Sequence, residues 1–250
     1  MTFCAPWTAL FPAALAPTDA KAASLGIDYI AASASTTDVG GLCVRQDLRR
    51  FGVAGAVWNC ARVLVELFTQ HPTLVAARRV IELGAGTGAL GLAVARAPGA
   101  ALVTLTDLPN VVFALTAKNV AAACEQHEGL RSLSSNGALS AKPHRWGDDL
   151  SEDLRRNGPW DVVLCSDCLY EPQLYPDLLC SLDTLTASTA TAIVYIAYKQ
   201  RHPERERCFF ASAASSYDIT VWGDKEDAFP RSFRGEGIFV CRLQRRLDVS

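Results

Sequence analysis

The stretch Val80–Ala95, VIELGAGTGALGLAVA, runs an apolar strand into closely spaced glycines and then into apolar residues at helical spacing. A glycine-rich turn between strand and helix is where doubly wound sheets hold ligands, because glycine tolerates the tight turn and lets a ligand approach the backbone. The pattern predicts a strand over Arg79–Leu83 and a helix over Ala89–Arg96. Upstream, Val57, Ala61, Leu64 and Phe68 recur at helical intervals, predicting a helix that ends at His71-Pro72. Before it, GLCVRQDLRRFG (Gly41–Gly52) reads as a short extended segment entering a loop. Downstream, ALVTLTDLPN predicts a strand ending at Asp107, and Val111–Cys124 a crossover helix. EQHEGLRSLSSNGALSAK reads as a polar loop before a strand near Pro143–Trp146. WDVVLCSD has the near-continuous apolar run of a strand covered on both faces. A helix over Tyr175–Leu185, the strand TAIVYIAY and a helix near Glu204–Ala214 follow. No helix-length pattern separates the last two strands, Tyr217–Trp222 and Gly237–Leu243, so they are expected to pair antiparallel. The alternation predicts an α/β, Rossmann-like doubly wound sheet of seven strands, mostly parallel with an antiparallel last pair.

The 250 residues suffice for one such domain. It is expected over 41–250, with residues 1–40, rich in Ala and Pro, as a poorly ordered extension. A net charge of −2 exerts no global pull on nucleic acid. Nine scattered cysteines, an odd number, read as reduced thiols and place the protein in the cytoplasm, or also in the nucleus. Cys165 and Cys168 form a lone C-x-x-C without a second pair or nearby histidines, so no metal is expected. No apolar run approaches the roughly 20 residues of a membrane span.

The glycines alone leave the ligand open. No lysine follows Gly88 or Gly91, which excludes a Walker loop. Gly84, Gly86 and Ala89 satisfy a dinucleotide pattern, and Asp107 lies where an acid would take ribose hydroxyls. Glu82 shifts the balance. A helix N-terminus attracts phosphate through its N–H groups, and a carboxylate two residues before the first glycine would oppose a pyrophosphate. S-adenosylmethionine has no phosphate and carries a sulfonium and an ammonium, so it suits Glu82 better. Each acid has a structural alternative: Glu82 as a helix cap or ion-pair partner, Asp107 as a cap for the helix after Pro109.

RQDL, GVAGAVWNCARVL, VIELGAGTGALGL, VTLTDLPNV, RWGDDL and DVVLCSDCLYEPQLYPDLL together resemble the class I, seven-β-strand protein-lysine methyltransferases. They are most similar to the branch that modifies Hsp70-type chaperones, the AAA ATPase valosin-containing protein and translation elongation factors. The resemblance runs from about Gly41 to Leu243. Its hallmark is the D-x-x-Y tetrad Asp167-Cys168-Leu169-Tyr170 after the fourth strand. It implies that Trp58 packs on S-adenosylmethionine and that Gly84, Ala85 and Gly86 hold its methionine part; Gly88 and Glu82 are also expected to bind the cofactor. Asp107 would take the ribose, Trp146 lie by the adenine and Ser166 line the site. Asp167 and Tyr170 would orient the target amine. The implied partner is a protein substrate (a chaperone, AAA ATPase or elongation factor), with no nucleic acid and no membrane, and the enzyme is expected to be a monomer. Asn59 departs from the family, many of whose members have Asp there. The loop Glu125–Ala138 and the N-terminal extension look like insertions, so the target is not inherited from any one relative. The alternatives are a methyltransferase of nucleic acid or of a small molecule, and a SAM-binding scaffold without catalysis. Against the first, SDCLY lacks the prolines common where a flipped base is stacked.

Overall fold

The computed structural model describes residues 36–96, 99–223, 227 and 229–246. A hairpin comes first: β1 (Thr36–Val39) pairs antiparallel with β2 (Leu42–Arg45). Its two-residue turn is Gly40-Gly41, at φ +58° and +76°, the backbone that primed hairpin turns require. Val39, Leu42 and Val44 enter the main core. The boundary expected at residue 40 therefore cuts a hairpin, and Thr36–Val39 belongs with the fold. The remainder of the expected extension lies outside the described residues. A one-turn helix, α1 (Leu48–Phe51), is capped by Asp47, whose Oδ1 accepts the Arg50 N–H at 3.1 Å. After it, α2 (Asn59–Gln70) buries Val63, Leu64, Leu67 and Phe68 along one stripe and ends at His71-Pro72 as the pattern predicts.

The strands β3 (Arg79–Leu83), β4 (Leu102–Asp107), β5 (Leu139–Pro143), β6 (Val162–Ser166), β7 (Ile193–Lys199), β8 (Tyr217–Trp222) and β9 (Ile238–Arg245) form one sheet. Its order is β5-β4-β3-β6-β7-β9-β8. The first five strands of that order run parallel, and β9 pairs antiparallel with both β7 and β8. The doubly wound, mostly parallel sheet is as predicted, with the added finding that β9 inserts between β7 and β8. Helices cover both faces. Val162 and Leu164 of β6 join a core with α2 and α3 (Ala89–Arg96), while Val163 and Cys165 point into a second core. That second core holds α7 (Tyr175–Thr186), α8 (Pro203–Ala213) and Trp160 from beyond α6 (Glu152–Asn157). Alternating residues of one strand thus feed two cores, which is why its sequence reads as unbroken apolar.

Two stretches differ from expectation. Glu125–Ala138 is not a loop: α4 (Ala117–Gln126) runs to His127 and α5 (Glu128–Ser135) follows directly. Leu130 is fully buried and Leu133 packs beside it one turn on, so a two-residue apolar stripe holds a helix whose other faces are polar. The strand expected near Pro143–Trp146 lies at Leu139–Pro143. It is an edge strand with one buried residue, too polar to announce its position.

Candidate active site

The parallel strands deliver their C-terminal ends to one cavity of about 470 Å³, the place where open α/β sheets hold ligands. A further wall is the segment from Phe51 to Trp58 ahead of α2. Trp58 is fixed there because its Nε1 donates to the Val53 carbonyl at 2.7 Å.

The glycine turn forms the floor. Gly86 sits at φ +52°, and a Cβ there would stand 2.7 Å from the Ala54 carbonyl oxygen. The turn is pinned on both sides. Gly86 N–H donates to Asp107 Oδ2 at 2.8 Å, and its carbonyl accepts from Thr116 Oγ1 at 2.7 Å. Thr116 ends a π-helical turn, Val112–Thr116, between the single turn Pro109–Val111 and α4. Gly84, at φ +67°, leaves room for Trp146 and Cys168; its Cβ would meet Trp146 Cζ2 at 3.0 Å. Gly88 is the one expected residue that does not line the cavity. It packs behind the turn against Thr116 and Leu105.

Both acids line the cavity; Glu82 also caps a helix, whereas Asp107 does not cap the turn after Pro109, whose N-cap is Leu108. Glu82 lines the cavity, and its Oε2 accepts the Gly91 N–H in the first turn of α3 at 2.9 Å. Burial pushes its carboxyl up to about 8 from 4.5, with the Gly91 bond opposing and nearby Asp107 adding to the rise. Asp107 lines the cavity while accepting from Gly86 and, through Oδ1, from Leu108 N–H at 2.7 Å. Burial raises it to about 6, against the pull of those two N–H groups.

Asp167 and Tyr170 also line the cavity, with Ser166 and Trp146. Asp167 is not a free carboxylate. Arg201 grips it with two parallel bonds, Nη1 to Oδ1 at 2.8 Å and Nη2 to Oδ2 at 2.7 Å. Its φ is +56°, a left-handed turn that Asp tolerates better than most residues. Tyr170 is half-buried, and no described residue hydrogen-bonds its hydroxyl. Burial holds its phenol well above the ordinary range, so the hydroxyl stays protonated. Sequence reasoning missed Arg201 and His202, which lie two and three residues beyond β7 on the same edge as Asp167. The signal was position: polar residues just past an apolar parallel strand face the ligand crevice. Asn59, the departure from the family pattern, donates from Nδ2 to Glu236 Oε2 at 2.8 Å, a bond that an aspartate could not make.

A family model described as lysine methyltransferase matches residues 36–216. The chain belongs to the lysine methyltransferase family. A protein N-lysine methyltransferase of Danio rerio, METTL21A, is 35% identical over 162 residues, 65% of this chain and 68% of the relative. EEF1A lysine methyltransferase 3 of Xenopus tropicalis is 32% identical over 166 residues, 66% of each chain. UPF0665 family protein C23C4.06c of Schizosaccharomyces pombe is 32% identical over 140 residues, and there this chain spans 38% of the relative's length. Among solved structures, P. horikoshii TYW2 in complex with MeSAdo aligns with a TM-score of 0.50 at 15% identity, over 83% of this chain and 69% of that one, a likeness of fold.

The cofactor of these lysine methyltransferases is S-adenosylmethionine, and the cavity's chemistry fits it. Glu82, Asp107, Glu171 and Asp177 line the space together with the paired Asp167, against the cations Arg145 and Arg201. Such a lining opposes a pyrophosphate and favours an occupant that carries positive charge. Gly84, Ala85 and Gly86 offer close backbone approach, and the indoles of Trp58 and Trp146 line the same cavity.

Proposed function

We propose that this lysine methyltransferase modifies a lysine of a folded cytoplasmic or nuclear protein, acting as a monomer, with translation elongation factor 1A and an Hsp70-type chaperone as the first acceptors to test. The observation that carries the lysine chemistry is the pairing of the Asp167 carboxylate with the unclaimed Tyr170 hydroxyl on one wall of the cavity. A relative named for EEF1A supports the choice of acceptor. S-adenosylmethionine, when bound, supplies a methyl group on a positively charged sulfur; the amine lone pair forms the new N–C bond while the C–S pair stays on sulfur. The amine must therefore arrive neutral, whereas lysine is protonated near pH 7 with an ordinary pKa of about 10.4. The apolar lining of Phe51, Val53, Val57 and Leu174 disfavours the ammonium. Tyr170, protonated, can accept from or donate to the amine, and Asp167 can accept from its N–H; holding nitrogen in line supplies much of the acceleration.

Incubation with methyl-tritiated S-adenosylmethionine and purified elongation factor 1A, purified chaperone, or a eukaryotic lysate tests this reading. Label should enter protein, survive nuclease and acid, and be recovered as methyl-lysine after hydrolysis. Label in RNA, or none in protein, sinks it.

The raised carboxyls make a separate prediction. Glu82 at about 8 and Asp107 at about 6 are held partly protonated near neutrality by burial. A cationic occupant favours their ionised forms, so binding releases protons at pH 7. Affinity for S-adenosylmethionine should accordingly rise as pH goes from 6 to 8 and level off above 8. The limit for one released proton is roughly tenfold per pH unit. Protein stability without cofactor runs the other way: both folded-state values exceed the ordinary 4.5 and 3.8. That contribution is full below about 4 and is lost as pH rises through 6 and 8. Calorimetry across this range in buffers of different ionisation heat measures the proton release, and Glu82→Gln should flatten most of it. A pH-independent affinity in the native chain would show that neither carboxyl meets the cation.

A further inference from the structure

The Asp167–Arg201 pair ties together four elements around the cavity. Asp167 follows β6 and Arg201 follows β7; their side chains are 5% and 13% exposed. The two-pronged geometry suits a guanidinium and cannot be reproduced by lysine. Asp167 N–H is held by the Ala197 carbonyl at 2.7 Å. Arg201 is oriented from behind, because Glu206 Oε1 of α8 accepts the backbone N–H groups of Arg201 and His202 at 2.7 and 2.9 Å. On its other side the guanidinium lies 5.9 Å from the Trp58 ring at the start of α2. An arginine held by three elements and aimed at one carboxylate exceeds what a surface ion pair needs.

The methyl transfer gives this arrangement a purpose. A lone carboxylate beside the target lysine would stabilise its ammonium form, since an opposite charge within about 4–6 Å favours the charged state. The ammonium has no lone pair to attack carbon. We propose that Arg201 is a positioning residue that cancels the charge of Asp167, so that the site takes the target amine in its neutral form. This rests on the lysine methyltransferase reading above. The ammonium proton leaves to water as the amine enters, and the amine then donates its lone pair as already described. Asp167 keeps lone pairs outside the fork to accept an amine N–H, while the guanidinium repels an ammonium.

Other groups face the pair. Cys60 on α2 and the Tyr170 phenol are held neutral by burial, and the Cys168 thiol beside Asp167 is held neutral first by its hydrogen bond with Cys165 and then by burial. Lys199 on β7, Glu206 on α8, Glu171 on the segment after β6, and Glu82 and Asp107 from β3 and β4 complete the set. Arg201 grips the Asp167 carboxylate with both prongs, at 2.8 and 2.7 Å, and the Lys199 backbone N–H approaches Oδ1 at 3.4 Å.

The test counts protein-bound label from tritiated S-adenosylmethionine with a eukaryotic lysate as acceptor, from about pH 6 to about pH 10. Arg201→Gln should lower transfer at pH 7 at least ~10-fold and move the rising limb of the pH profile at least about one pH unit alkaline. Its affinity for S-adenosylmethionine should stay within about threefold of the native value, because the adenosine-side groups are untouched. Arg201→Lys, which keeps the charge but not the fork, should run at a reduced rate with the limb near its native position. Thermal unfolding without cofactor is the second readout: Arg201→Gln should melt lower, and adding Asp167→Asn should restore part of the loss by removing the unpaired carboxylate. A pH-independent loss of rate in Arg201→Gln, an unchanged rate, or no recovery in the double variant overturns the proposal. Absence of methyl-lysine with the native chain would instead overturn the lysine reading itself, and the two failures are told apart by that control.

Discussion

Asp167→Ala should reduce methyl transfer at saturating S-adenosylmethionine by roughly two orders of magnitude or more, the scale of losing a positioned group at the reacting centre. The sequence alone predicts a loss of turnover much larger than any loss of cofactor affinity. The structure adds a second cost. Removing the carboxylate leaves the Arg201 guanidinium, 13% exposed, without the partner that receives both of its prongs. Breaking a buried pair from one side costs about 3–5 kcal/mol; the cavity gives Arg201 some access to water, which favours the lower end. For a chain of this size about 3 kcal/mol lowers the melting temperature by roughly 6–12 °C. Affinity for S-adenosylmethionine should fall far less than turnover, since Glu82, Asp107 and the glycine turn lie on other strands. Single-turnover rates and calorimetry below the melting transition separate the two effects. Turnover within about threefold of native in a folded Asp167→Ala protein would remove Asp167 from the chemistry.

The parts of the fold that the sequence announced are those where one physical signal acts alone. β3 and α3 match the predicted bounds because an apolar strand, glycines and a helical repeat adjoin without competing patterns. α5 was hidden because Leu130 and Leu133 are its whole apolar stripe, and β5 because an edge strand needs little apolar surface. The hairpin was half seen: Gly40-Gly41 is a turn signal only when Thr36–Val39, which buries one residue fully, is read as a strand. The site behaved similarly. Asp107, Asp167, Tyr170 and Trp146 were legible because each follows a strand in a motif. Arg201 belongs to no motif, and nothing local in KQRHP says that its side chain turns back across β6. Gly88 shows the converse: it shares the turn, yet it packs against Thr116 and Leu105 and is not among the residues that line the cavity.

Gly86→Val should abolish measurable binding of S-adenosylmethionine and lower stability together, and the reason differs from the one suggested by the glycine motif. From the motif, an added side chain would fill the cofactor's space and leave the fold standing. In the structure a Cβ on Gly86 points at the Ala54 backbone, 2.7 Å from its carbonyl oxygen and 3.4 Å from its Cα. Backbone cannot rotate aside as a flexible side chain would. The turn cannot retreat either, because Asp107 holds the Gly86 N–H and Thr116 its carbonyl. A β-branched residue at φ +52° adds a conformational penalty of about 1–2 kcal/mol or more. The strain must displace the segment that carries Val53, and with it Trp58, whose indole is anchored on the Val53 carbonyl. Loss of binding therefore comes from moving a cavity wall as well as from distorting the floor. Affinity should drop by at least ~100-fold, equivalent to about 2.7 kcal/mol, with a melting temperature several degrees lower, consistent with a backbone-strain defect. Tryptophan fluorescence should shift as Trp58 loses its anchor. A Gly86→Val protein that melts like the native chain while failing to bind would restore the simpler steric account. One that binds normally would place the cofactor away from this turn.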